Sequence, residues 1–170
     1  MNRFFLGFAL TAGIAATACT STTGGAGADT TGGDGASGPQ PHFASLYADY
    51  FNKCGQCHAP GAVGATSTTE KSLDFSTQAT AYATLSGNAS GLTGNQAGCN
   101  GVAFIVKDKP ASSLVLAVLD SATRSAIALT ATPSCDTNAI SDMALKVGTQ
   151  PSAEFIGALK TWIQNGALND

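Results

Sequence analysis

Lys53-Cys54-Gly55-Gln56-Cys57-His58 is the stretch on which the reading of this chain of 170 residues turns. Just upstream, Phe43, Leu46, Tyr47, Tyr50, Phe51 and Cys54 recur at helical spacing. That pattern predicts a first helix with an aromatic-rich stripe, delivering Cys54 at its end and stopping at Gly55. Two thiols three positions apart at a helix end face the same way, and the next residue brings an imidazole beside them. Three chemistries use such a pair. A redox dithiol of the thioredoxin kind follows a strand in a βαβ unit, whereas this pair follows a helix. Half of a zinc site needs a second paired set of Cys or His to complete four ligands, and the chain has none. The C-x-x-C-H spacing is the attachment signal for haem c, in which each thiol adds to one vinyl group on the same porphyrin edge and His58 becomes the proximal iron ligand. Covalent haem at Cys54, Cys57 and His58 is therefore the expectation, with an ordinary disulfide or dithiol, or a zinc site, as its competitors.

At the other end of the chain, Ser152 caps a predicted helix whose stripe is Phe155, Leu159, Trp162 and Ile163, closed by Asn165-Gly166. Thr77 to Ser86 and Ser113 to Leu119, the latter with Pro110 just upstream, are further short helices. Strand alternation is weak, and Phe104-Ile105-Val106 is a short extended run at most. The expected fold is all-α, with four to six short helices around one haem, joined by long loops. The apolar set between residues 42 and 170 is modest for a domain of that length, so a prosthetic group would supply a centre that the side chains alone fill thinly.

The N-terminus reads as an address. Arg3 is followed by an uncharged apolar run from Phe4 to Ala18, shorter than the roughly 20 residues that span a bilayer. Ala16-Thr17-Ala18-Cys19 resembles the lipobox of bacterial lipoproteins, with Ala16 where a larger aliphatic usually stands. The resemblance implies a signal peptide over 1–18 and lipidation of Cys19. The competing reading is a plain secretory signal cleaved after Ala18. Residues 19–41 are built almost entirely of Ser, Thr, Gly, Ala, Asp and Pro, a tether with an end-to-end distance of about 25 Å. The domain then runs over 42–170. Charged residues make up 11% of the chain and its formal net charge is −3, with no Lys/Arg cluster, which excludes a nucleic-acid partner. Export fits the motif, because haem c is attached outside the bacterial cytoplasm. Thr20 after Cys19 points to the outer membrane rather than the inner one, on the periplasmic side or the cell surface.

The 5 cysteines sort accordingly. With Cys19 lipidated and Cys54 and Cys57 on haem, Cys99 and Cys135 remain as a disulfide pair in an oxidising compartment, two free buried cysteines being the alternative. The helix leading into the motif, Leu73-Asp74-Phe75-Ser76-Thr77, Ala81-Tyr82 and Leu85, Pro110-Ala111-Ser112-Ser113-Leu114, and Trp162-Ile163-Gln164-Asn165-Gly166-Ala167 together resemble a family of bacterial cytochrome c-like lipoproteins over nearly all of 42–170. In that family a Met some twenty residues before the Trp-Ile pair resembles a distal haem ligand. Met143, nineteen residues before Trp162, holds that place, with Ala144 where the family commonly has Pro. His42 and an open site are the other choices for the sixth position. A thioether there raises the potential relative to a second imidazole.

These readings lead to a membrane-tethered monohaem electron carrier that meets redox protein partners. Two others compete: a peroxidase-like haem enzyme with an open distal site, for which His42 is the one histidine available, and a haem-free binding or structural lipoprotein with a Cys54–Cys57 disulfide. No G-x-S-x-G and no marked carboxylate pair point to any other catalyst.

Overall fold

The computed structural model describes residues 38–62, 73–120, 124, 135, 136, 148 and 150–170. The expected signal peptide, Cys19, most of the tether and Met143 lie outside the described residues. Among those described, the chain is helical. Helix α1 (Phe43–Leu46), a π-helical turn (Tyr47–Phe51) and α2 (Asn52–Cys54) run on as one rod. Then come α3 (Gln78–Leu85), two 3₁₀ segments (Gly94–Cys99 and Pro110–Ser112), α4 (Leu114–Leu119) and α5 (Ala153–Gln164). The described residues hold no strand, only an isolated bridge between Asn88 and Ala103. The coarse expectation of an all-α domain of short helices holds, and 104–106 is neither helix nor strand.

Helices α1, α3 and α5 start at residues whose side chains cap them. Thr77 and Thr80 exchange side-chain and backbone hydrogen bonds (3.1 and 3.2 Å) in a reciprocal box that opens α3. Ser152 Oγ accepts from the Phe155 amide at 3.1 Å to open α5. The far end of α5 closes by a Schellman turn: Gly166 N–H donates to Ile163 (3.1 Å) and Ala167 N–H to Trp162 (2.9 Å), with Gly166 at φ +91°.

The N-terminal rod crosses α5 antiparallel, ring on ring. Phe43 stacks on Trp162 with centroids 5.2 Å apart, while Tyr50 and Phe51 meet Phe155 at 5.0 and 5.5 Å. Tyr82 of α3 packs edge-on against Phe43 at 5.3 Å. Helix α4 is apolar all round, and Leu114, Val115, Leu116, Ala117 and Leu119 are all buried, as such a helix must be. Its entry is satisfied internally: Ser113 Oγ accepts from the Val106 amide (2.9 Å) and donates to the Lys109 carbonyl (3.1 Å). Cys99 and Cys135 are joined in a disulfide, so the pairing expected from the cysteine count is present. Among the described residues no helix is long and apolar enough to cross a membrane.

The candidate haem-attachment turn

The motif begins on the last residue of α2 and continues as a further helical turn. The carbonyl of Cys54 accepts the amides of both Cys57 (3.1 Å) and His58 (2.8 Å). Residues at i, i+3 and i+4 on such a turn share one side, so the backbone sets Cys54, Cys57 and His58 on the same side of it. The π-turn just before it, in which Asn52 N–H reaches back five residues to Tyr47, is a local widening of the kind that often sits beside functional groups.

Burial separates the two thiols. Cys54 is 9% exposed and belongs to the apolar core with Phe51 and Phe75, whereas Cys57 and His58 are half-buried. Burial pushes the Cys54 thiol up to about 12, reinforced by Cys57 and opposed by a backbone hydrogen bond and by Lys53. A sulfur in that setting is held neutral, which suits a thioether or an inert thiol better than the thiolate of a redox dithiol. Cys54 and Cys57 are not joined to each other in a disulfide. Among the described residues no group of three or more His, Cys, Asp or Glu side chains gathers in a way that could hold a metal ion on its own. Lys53 lays its ammonium over the Tyr50 ring, 5.4 Å from the centroid.

Gly55, Phe75 and Tyr47, to which sequence reading assigned no part in the site, shape this turn. Gly55 was expected to stop the helix. Helix α2 ends just before it, but Gly55 stays right-handed at φ −59° and the chain winds on for another turn, so its use lies in the missing side chain: a Cβ there would come within 2.9 Å of the Phe75 carbonyl and 3.3 Å of that of Asn52. Phe75 donates its amide to the His58 carbonyl (2.7 Å) and accepts the Tyr47 hydroxyl on its own carbonyl (3.2 Å). Its ring lies 6.1 Å from the His58 ring and 6.0 Å from Phe51. The Tyr47 hydroxyl is pushed up by burial first, then by the nearby Asp74 and Cys54. Asp74, in turn, accepts from the hydroxyl (2.6 Å) and amide (2.9 Å) of Ser76, which hold its carboxyl below the usual range. The aromatic residues at 47 and 75 were legible as helix stripe and family likeness, but their meeting joins segments far apart in the chain.

The other candidate ligands divide. His42 caps α1, its Nδ1 accepting from the Ser45 amide at 3.4 Å, and a rod of roughly 18 Å separates it from Cys54. Met143 lies outside the described residues. An open depression of about 420 Å³ between the end of α4 and the start of α5 is lined by Asp120, Pro151, Ala153, Ile156, Gly157 and Lys160, none of them from the motif turn. No family model, no curated protein and no solved structure matches this chain.

Proposed function

We propose that the chain is an exported, lipid-tethered carrier of one covalently attached haem c that passes single electrons between redox proteins outside the cytoplasm. The observation that supports this reading is the helical turn Cys54–His58, whose backbone sets both cysteines and the histidine on one side with Cys54 in apolar surroundings. Cys54 and Cys57 would hold the porphyrin edge as neutral thioethers, and His58 would ligate the iron. Bound there, the group supplies an iron that cycles between ferric and ferrous states. The chain's part would be to orient that group, and the aromatic core around Cys54 would keep water from the first thioether. Met143 is the proposed distal ligand on the strength of the family resemblance. His42 is not, because its imidazole is engaged as a helix cap at the far end of the rod. Cys19 is the proposed lipid anchor, and a cytochrome c-like arrangement is the proposed finer fold.

The test is the mass and colour of the protein exported from a bacterium equipped to attach haem c. A covalent adduct of one haem, lost when Cys54 and Cys57 are both replaced by Ser, is expected. Met143→Ala should abolish the weak sulfur-to-iron band of the oxidised form and lower the reduction potential. A colourless polypeptide of unmodified mass would overturn the reading.

A further inference from the structure

We propose that Phe75 and Tyr47 are positioning residues for His58: Phe75 straps the ligand-bearing turn through both of its backbone polar groups, and the Tyr47 hydroxyl latches the strap. The inference rests on the haem reading above and extends it to residues outside the motif.

Phe75 lies seventeen positions beyond His58, yet it makes contacts on several sides of the turn. Its amide holds the His58 carbonyl at 2.7 Å. Its carbonyl lies so close over Gly55 that a Cβ would meet it at 2.9 Å. The same carbonyl takes the Tyr47 hydroxyl, which rises from the π-turn about two helical turns before Cys54. The Phe75 ring, 7% exposed, fills the space between Phe51 and the His58 imidazole, meeting the latter at an interplanar angle of 56°. The strap is itself tied down on its other side. Asp74 N–H donates to Thr84 Oγ1 of α3 (3.1 Å), and that hydroxyl donates back to the Asp74 carbonyl (3.2 Å). The backbone of His58 is thus fixed to α3 and to the rod at once. A ligating imidazole is oriented by the groups around it as much as by the metal, and small rotations change its bonding. A single hydroxyl and a single missing Cβ therefore control how firmly that orientation is kept.

The experiment compares haem-loaded wild type with Tyr47→Phe, Gly55→Ala and Tyr82→Phe. The last removes an equivalent bond, Tyr82 to the Ala167 carbonyl at 3.0 Å, which involves neither the motif nor Phe75. Three properties are read: the paramagnetically shifted proton resonances of the His58 ring and haem methyls, the reduction potential, and hydrogen exchange at the Phe75 amide. In Tyr47→Phe the Phe75 amide is expected to exchange about fivefold to tenfold faster. The shifted resonances and the potential should move in Tyr47→Phe and Gly55→Ala and stay at wild-type values in Tyr82→Phe. Should Gly55→Ala fail to load, Tyr47→Phe alone decides. Wild-type resonances and potential in Tyr47→Phe, or equal movement in Tyr82→Phe, would overturn the strap while leaving the carrier reading intact. A wild type without haem would overturn both.

Discussion

At the scale of single residues, the asymmetry between the two motif sulfurs has chemical consequences. Cys54 is sealed by Phe51 and Phe75, and Cys57, three residues on, stands at the rim. In chain made without haem attachment and kept reduced, Cys57 should be alkylated first at mild alkaline pH, with Cys54 lagging until the domain opens. The same burial ties stability to pH. The thiol of Cys54 is raised from 9.0 to about 12 on folding, so its neutral form stabilises the fold fully below pH 9. That contribution is lost as pH climbs towards 12, and the linkage limit is about 4 kcal/mol. Urea midpoints of the haem-free chain should fall over this window more steeply than those of Cys54→Ala. Parallel slopes for the two proteins would mean that the sulfur is not buried as described.

At the scale of elements, helix ends decide more than helix interiors. Helix α5 is held between the Ser152 cap and the Schellman turn at Gly166, and this same turn aims the tail back over the core. Trp162 Nε1 donates to the Leu168 carbonyl at 2.8 Å, and Asp170 accepts the amides of Phe43 (2.8 Å, on its carboxylate) and Ala44 (2.9 Å, on its carbonyl). The orphan amides that open α1 are therefore satisfied by the residue that follows α5 in space. Gly166 has room for a methyl group but sits at φ +91°, where an L side chain is strained. Gly166→Ala should cost about 1 kcal/mol in the denaturant midpoint and leave the optical spectrum of the haem-loaded protein unchanged. A spectral change would place the tail nearer the motif turn than the structure has it.

For the whole molecule, the rod, α3 and α5 form an aromatic core around Phe43 and Trp162, and the disulfide joins the 3₁₀ segment ending at Cys99 to a point 36 residues further on. In the chain-entropy account, a closed loop of that length stabilises by about 4 kcal/mol. This is a large share of the ~5–15 kcal/mol that holds a domain of this kind together. The double replacement Cys99→Ala with Cys135→Ala should lower the unfolding free energy by an amount of that order, measured in urea at neutral pH. A loss below about 1 kcal/mol would show that the loop is already constrained in the unfolded chain.

Local signals determined a good deal of this protein by themselves. The helical stripes from Phe43 to Cys54 and from Phe155 to Ile163, the short helix beginning near Thr77, the cap at Ser152 and the closing glycine at 166 all act over one to four residues, so periodicity and capping chemistry expose them. With Cys19, Cys54 and Cys57 expected to be taken up elsewhere, the cysteine count pointed to Cys99 and Cys135 as a pair, and the disulfide is present. The π-turn at Tyr47–Phe51 and the 3₁₀ segment Gly94–Cys99 were not legible, because each is a local compromise with packing that no repeat announces. What tertiary structure alone decided is the surroundings of the motif: Phe75 over Gly55, Tyr47 against the Phe75 carbonyl, and the burial of one sulfur but not the other. Those contacts join residues up to 28 positions apart, and their energies belong to the closed fold rather than to any stretch of chain.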